Sequence, residues 1–394
     1  MNQEEMINTM NHYLPIRIIE KKQYGEVFTP KELIEKMLDT LPENIFCNPN
    51  LKWLDPCSGI GNFMIVLYFR LLKSLELWEP EEEKRSNHII QNMLYMMELN
   101  IENINICKNI FGSINIVEGD FLEIDIEKYF GIKFDIVLGN PPFQEINKNR
   151  KNKLYERILL KCLSMSPEYL LFITPDNLFS GGSKAYLKLL EGHVEIICFD
   201  KSIQTFFPKI QEYICYFLFK KQEPGQTLII GNDGQSFECF LRKRPVNPVR
   251  NWSQDTEHLI NTYLLDKRNN SVYNRGKPLN QYQISGQEED ALIYTPSKYL
   301  YTTNKKLAIG LGIKKIVIFA ISPNLEFKTD FDGNYGLGPN TFYIPINNLD
   351  EGLKLEQWFN SDIYKKLALS SKTSRQFLKI KFLQHLHLEK IIHI

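Results

Sequence analysis

An apolar run, Phe134-Asp135-Ile136-Val137-Leu138-Gly139, stops at Asn140-Pro141-Pro142-Phe143. Proline has no N–H and a fixed φ, so Pro141-Pro142 cannot continue a ladder and makes a stiff corner at the C-terminal end of a buried strand. Open α/β sheets bind ligands at that end. The corner offers one amide side chain, one rigid carbonyl and one flat ring, a rim that suits a planar amine. An exocyclic amine such as adenine's is a poor nucleophile because its lone pair is delocalised into the ring. The Asn140 side-chain oxygen and the Pro141 carbonyl can each accept one N–H and localise that pair, with Phe143 stacked on the base. The plainer alternative is a turn with a structural Asn and a core Phe. The four residues alone do not choose between adenine, glutamine and RNA substrates.

A second constellation lies upstream. Leu51-Lys52-Trp53-Leu54 reads as a short strand running into Asp55-Pro56-Cys57-Ser58-Gly59-Ile60-Gly61-Asn62-Phe63 and then a helical stretch through Leu75. Gly59 and Gly61 permit positive φ and close backbone approach, and a helix starting near Asn62 offers N–H groups to a carboxylate. Asp55, fixed by Pro56, can take an ammonium group. The third glycine of the dinucleotide fingerprint is missing. An amino-acid-bearing nucleotide such as S-adenosylmethionine therefore fits better than NAD. Met93-Leu94-Tyr95-Met96-Met97 reads as the next strand, ending at Glu98, whose carboxylate can accept from both ribose hydroxyls. Its distance from the glycines exceeds the usual ~20 residues, and the polar stretch 79–87 reads as a solvated loop that accounts for the excess. Ile114-Asn115-Ile116-Val117 makes a third strand leading to Asp120-Phe121, a carboxylate able to accept from an adenine amine beside a stacking ring. Ordinary strand-end acids are the alternative for Glu98 and Asp120.

With these motifs in this order, the chain resembles the N6-adenine DNA methyltransferases of the gamma-type arrangement found among type II restriction–modification methylases. Gly25-Glu26-Val27-Phe28-Thr29-Pro30, followed by a helical 31–41, is similar to the segment these enzymes place ahead of the glycine turn. The resemblance implies that Phe28, Thr29 and Pro30 cover the methionine end of the cofactor. Protein-glutamine methyltransferases generally lack that opening. Leu154-Tyr155-Glu156-Arg157-Ile158-Leu159-Leu160 resembles the family's following helix, and Tyr169-Leu170-Leu171-Phe172-Ile173-Thr174-Pro175 its next strand. Phe207-Pro208 is similar to the segment whose aromatic packs against the extruded adenine; Phe206 competes for that role, and core positions for both are the alternative. The implied fold is α/β, a Rossmann-like S-adenosylmethionine-dependent methyltransferase domain with a mainly parallel sheet, followed by a mixed α+β target-recognition domain.

The implied reaction is direct in-line transfer from S-adenosylmethionine to N6 of an adenine extruded from double-stranded DNA lodged between two domains, at a cost of a few kcal/mol for leaving the stack. Asn at the first motif position favours adenine N6 over cytosine N4. A separate restriction endonuclease is a further partner that the resemblance allows. Two alternatives stay open: a methyltransferase acting on rRNA adenine or protein glutamine, and a non-catalytic DNA-recognition subunit.

A chain of 394 residues exceeds the usual single core, so two domains are expected. The expected division is an N-terminal extension at 1–23, the catalytic domain at 24–244 and the target-recognition domain at 245–394. Net charge is zero, which argues against a nucleic-acid partner until its distribution is considered. Residues 225–394 carry 22 Lys and Arg against 16 Asp and Glu, and the remainder carries the opposite imbalance. Phosphate contacts are thus expected mainly in the second half, from Arg242-Lys243-Arg244, Lys305-Lys306, Lys314-Lys315 and the stretch 372–381. One basic cluster follows the catalytic corner, where Lys148, Arg150 and Lys151 either grip the strand beside the target base or form a plain surface loop. Seven scattered cysteines without Cys-x-x-Cys point to a reducing, cytoplasmic setting and no zinc site, and no apolar run reaches membrane-spanning length. A hairpin is expected around Gly231-Asn232-Asp233-Gly234, a loop at 336–340, strands at 316–321 and 341–346, and one amphipathic helix over 356–369.

Overall fold

The computed structural model describes residues 29–144, 153–208, 210, 212–244, 247–249, 251–269, 284–285, 291–295, 298–302, 308–319, 324–338, 340–370 and 380–393. The chain divides into two compact units: residues 1–179 with 183–243, and residues 180–182 with 244–394.

The first unit is built on a nine-stranded sheet. Its strands are β1 (Trp53–Asp55), β2 (Leu94–Glu98), β3 (Asn115–Glu118), β4 (Ile136–Gly139), β5 (Tyr169–Pro175), β6 (His193–Cys198), β7 (Ile214–Lys220), β8 (Gln226–Ile230) and β9 (Ser236–Phe240), in the spatial order β3-β2-β1-β4-β5-β7-β6-β8-β9. The first five strands of that order are mutually parallel, and β7 enters antiparallel between β5 and β6. β1, β4 and β5 are buried along their whole length, as continuous apolar runs in a parallel sheet require. The chain lays down β1, β2 and β3 in one direction and returns to place β4 on the other side of β1, so the order reverses between β1 and β4. Crevices open at the C-terminal ends of the strands at such a point.

Helices α1 (Lys31–Leu38), α2 (Asn62–Ser74), α3 (Glu82–His88), α4 (Ile101–Phe111), α5 (Ile126–Phe130), α6 (Leu154–Met165), α7 (Lys184–Leu189) and α8 (Ser202–Thr205) complete this unit. Leu33, Ile34, Met37 and Leu38 of α1 join Met64, Leu67 and Leu71 of α2 and Trp53 of β1 in one buried cluster. The stretch 79–87, expected as a loop, contains α3. Its polarity conceals a helix held from one side: Arg85 is buried and donates to the Glu79 carbonyl, Ser86 Oγ lies 2.8 Å from Tyr68 Oη, and Glu82 and Glu83 sit in the first turn, where the helix dipole favours acid. The hairpin at 231–234 forms as expected, with β8 and β9 antiparallel and Gly231 N–H donating to the Gln235 carbonyl at 2.8 Å.

The second unit is mixed α+β. A four-stranded sheet has the order β10 (Ile284–Ser285), β12 (Lys298–Thr302), β11 (Ala291–Thr295), β15 (Tyr335–Leu337). A three-stranded sheet has the order β14 (Phe327–Asp330), β13 (Lys315–Phe319), β16 (Thr341–Pro345). Helices α9 (Gln254–Tyr263), α10 (Leu349–Asn360), α11 (Asp362–Ser370), α12 (Ile380–Leu383) and α13 (Leu388–Ile392) follow or flank them. Ile316, Ile318 and Ile344 share a core with Trp358, Phe359, Tyr364 and Leu367. Two expectations are corrected here. The loop expected at 336–340 begins as strand β15, paired parallel to β11. The single helix expected over 356–369 is two, because Ser361 turns extended (φ −70°, ψ 156°) and its Oγ accepts from the Tyr364 N–H at 3.2 Å, capping the second helix.

Two basic residues assigned to a phosphate track prove internal. Lys315 is fully buried and ion-paired with Asp330, its register partner across β13 and β14, and it also donates to the Ile313 carbonyl at 2.8 Å. Arg244 is 4% exposed and grips Glu257 with both terminal nitrogens, at 2.8 and 2.6 Å, while Glu257 also accepts from Trp252 Nε1 at 2.9 Å. Burial pushes the Glu257 carboxyl up, and the Arg244 guanidinium together with the Trp252 and Asn261 hydrogen bonds more than offsets it, so the net direction is down. Arg242, Lys243 and Lys314 are exposed. Lys305, Lys306 and the stretch 372–379 lie outside the described residues.

Candidate active site

The corner and the glycine turn, 80 residues apart in sequence, meet because β1 and β4 are parallel neighbours with Leu54 level with Val137. Asp55 ends β1 and Gly139 ends β4. Gly139 has φ +152°, and a Cβ built there would lie 2.7 Å from Asp55 Oδ1. Only a residue without a side chain lets the two strand ends close to this distance.

Asp55 is 1% exposed and its Oδ1 accepts from the Cys57 N–H at 3.0 Å. Burial pushes its carboxyl up to about 8, with the Cys57 hydrogen bond pulling down and the Glu98 carboxylate adding to the rise. Behind Pro56 the turn bends through Gly59 (φ +55°) and Gly61 (φ +84°), and α2 begins at Asn62 with Gly61 in the capping position and no side-chain cap. A Cβ on Gly61 would sit 3.3 Å from Cys107 Sγ, so both conformation and room favour glycine. Glu98, at the end of β2, holds the turn: its Oε2 accepts from the Gly59 N–H at 2.7 Å, and its Oε1 accepts from the N–H groups of Leu99 and Asn100 at 2.9 and 2.8 Å. Two buried side-chain oxygens on this turn, Ser58 Oγ and Asn62 Oδ1, have no hydrogen-bond partner among the described residues. Buried polar atoms are ordinarily paired. Together with the uncapped helix start and the acidic pair Asp55 and Glu98, they fit a ligand carrying its own donors and a carboxylate.

Asp120 is exposed beyond β3, its Oδ1 accepting from the Leu122 N–H at 2.8 Å. Phe121 next to it is 3% exposed. The loop after it is pinned by a residue that sequence reasoning missed: Lys161 of α6 donates to the carbonyls of Phe121 and Ile124, and its Nζ stands 4.9 Å from the Phe121 ring centroid. No motif spacing signals this contact, since the partners are about 40 residues apart.

At the corner, Pro141 is buried and Asn140, Pro142 and Phe143 are half-buried. Phe143 packs against the first unit's core and meets the Tyr155 ring edge-on at 6.2 Å. The Asn140 Nδ2 donates to Thr29 Oγ1 at 3.2 Å. Thr29 is buried, and its carbonyl accepts from Asn62 Nδ2 at 3.0 Å. Pro30 caps α1 beside it in an extended conformation. Phe207 is seated in the core at 2% exposure, whereas Phe206 is half-buried with Lys36 Nζ 6.0 Å from its ring centroid. Of the two competing aromatics, it is Phe206 that reaches the surface. Phe28, Lys148, Arg150 and Lys151 lie outside the described residues.

A sequence profile of N-6 DNA methylases matches residues 13–169, the stretch holding both the glycine turn and the corner. Over these residues the chain is similar to the N-6 DNA methylases. The chain is 27% identical to an uncharacterized adenine-specific methylase of Mycoplasma pneumoniae, over 58% of this chain and 76% of that one. It is also 27% identical to the type II methyltransferase M.VspI of Vibrio sp. strain 343, over 35% of this chain and 30% of that one. Among solved structures, a nuclease-deletion mutant of the Type ISP restriction-modification enzyme LlaGI in complex with a DNA substrate mimic superposes with a TM-score of 0.57 at 11% identity, over 91% of this chain. The chain spans about half (53%) of that enzyme's length. Among the described residues, no helix is long and apolar enough to cross a membrane.

Proposed function

We propose that this chain is a DNA (adenine-N6) methyltransferase that uses S-adenosylmethionine and works in, or descends from, a restriction–modification system. The observation that carries the reading is the close approach of Gly139, just ahead of the Asn140 corner, to Asp55 on the glycine turn, which supports an amine-polarising role for the corner beside a turn that takes the cofactor's charged end. The N-6 DNA methylase match over residues 13–169 and the names borne by the Mycoplasma and Vibrio relatives support adenine as the target base and DNA as the substrate.

In this reading Asp55 takes the cofactor's ammonium, the N–H groups at the start of α2 and the Ser58 hydroxyl take its carboxylate end, the Asn62 Oδ1 accepts from one of its donors, and Glu98 and Asp120 face the ribose and the adenine amine. When bound, the sulfonium supplies an electrophilic methyl group. The chain's own contribution is at the acceptor: the Asn140 side-chain oxygen and the Pro141 carbonyl each take an N–H of the target amine, turning its lone pair outward. As the amine gains positive charge, the same two dipoles stabilise it without reorganising. Phe143, backed by Tyr155, and Phe206 hold the base in plane. The exposed cations Arg242, Lys243 and Lys314, with Lys148, Arg150 and Lys151, are assigned to phosphates, and the second unit to target recognition.

Incubation with labelled S-adenosylmethionine and separate pools of duplex DNA, RNA and protein, followed by nucleoside analysis, tests this directly. Label should appear as N6-methyladenine in DNA; label confined to RNA or protein overturns it. Asn140→Ala should lose turnover by roughly 10²–10³-fold, as for removal of one preorganised dipole, with cofactor binding retained.

A further inference from the structure

Thr29 touches both halves of the site at once. Its main-chain carbonyl accepts from Asn62, the first residue of the helix behind the glycine turn, and its hydroxyl accepts from the amide of Asn140. These partners are 33 and 111 residues away in sequence, and Thr29 itself is 3% exposed. A primary amide has two nearly isosteric orientations, one presenting oxygen and the other NH₂ to the same place. Only the oxygen can accept from an amine, so a corner that acts on amines needs the amide fixed in one orientation. The buried Thr29 hydroxyl accepts from Nδ2, which anchors the amide at the corner and, in this geometry, turns Oδ1 away from Thr29.

We propose that Thr29 is a positioning residue for the reaction: its hydroxyl holds the Asn140 amide with its oxygen toward the substrate, and its carbonyl ties that orientation to the helix start of the cofactor turn. This rests on the function proposed above, and it differs from a covering role over the methyl donor, which would act on donor affinity and leave turnover alone. Thr29→Val keeps the shape and removes the hydroxyl. Thr29→Ser keeps the oxygen. In steady-state methylation of duplex DNA with S-adenosylmethionine, Thr29→Val should lower kcat by at least about tenfold, since small misplacement of a reacting group costs up to about 10²-fold. Its dissociation constant for S-adenosylmethionine, measured by calorimetry, should stay within about twofold, and Thr29→Ser should recover most of the turnover.

A second readout needs no activity. In protein labelled with ¹⁵N-asparagine, the Asn140 side-chain NH₂ pair, assigned by its loss in Asn140→Ala, should exchange with solvent faster in Thr29→Val than in the parent chain. A Thr29→Val variant with unchanged kcat, one that loses only donor affinity, or an Asn140 pair with unchanged exchange overturns the proposal. If the parent chain methylates no DNA, the proposed function fails, and the exchange measurement still decides whether Thr29 holds the amide.

Discussion

Asp55 in the first unit and Asp330 in the second are buried to the same degree, at 1% and 2% exposure, but they are satisfied differently. Asp330 faces the Lys315 ammonium and also accepts from the N–H groups of Asn334 and Tyr335 at 2.9 and 3.1 Å. Asp55 has the Cys57 N–H, and the Glu98 carboxylate acts against its charge; among the described residues no cation is paired with it. The second unit closes its buried charges internally, as Arg244 and Glu257 show again. The first unit leaves acceptor capacity at the glycine turn, and Ser58 Oγ and Asn62 Oδ1 extend the same pattern. Unpaired buried polar atoms occur in the second unit too, at Thr329 Oγ1 and Tyr364 Oη, but at the glycine turn they share one short segment with a buried carboxylate that has no cation paired to it among the described residues.

The contrast breaks most visibly at Lys315. Lys315→Met leaves Asp330 buried without its cation and should lower unfolding free energy by about 3–5 kcal/mol, whereas Lys315→Met with Asp330→Leu should recover most of it. Urea denaturation of both variants checks this, and a single variant as stable as the parent would mean the pair anchors nothing. At Asp55 the expectation concerns pH. Its carboxyl moves from an ordinary value of 3.8 to about 8 on folding. Between those values the folded chain keeps a proton that the unfolded chain has lost, so this group's contribution is complete below about pH 4 and declines until about pH 8. Asp55→Asn should flatten that decline in a series of denaturation curves. At pH 7, binding of S-adenosylmethionine should release a proton as its ammonium meets Asp55, visible by calorimetry in buffers of different ionisation heat. The smallest effect on stability belongs to the surface: Arg242→Glu with Lys243→Glu should shift it by no more than about 0.5 kcal/mol. The same pair should lower the salt dependence of DNA binding by roughly one to two counterions. An unchanged salt slope would move the phosphate contacts elsewhere.

Buried parallel strands were the most readable part of the fold. The apolar run at 169–175 coincides with β5, and the strands carrying Asp55, Glu98 and Gly139 fall within two residues of their expected places. Such strands are apolar on both faces, so composition alone marks them. α3 was hidden because its support is polar, the inward Arg85 and the half-buried Ser86, and β6 because its burial alternates irregularly across a register shift. At the candidate site the strand, the glycine turn and the Pro-Pro corner were legible as elements, since each is a local pattern. Contacts between distant segments were not: Lys161 over Phe121, Thr29 on Asn140 and Lys315 on Asp330 are set by packing and register. For the same reason Lys315 and Arg244 read as surface charge until their partners were seen.

The close approach at Gly139 makes the four motif letters after it insufficient by themselves. One extra methyl at that position would press into Asp55 from 2.7 Å away, in a backbone conformation that already disfavours any side chain. Under the proposed function, a relative could keep Asn-Pro-Pro-Phe intact and still fall silent through the residue just ahead of it, so the glycine is the better place to look when sorting working copies of such a gene from decayed ones.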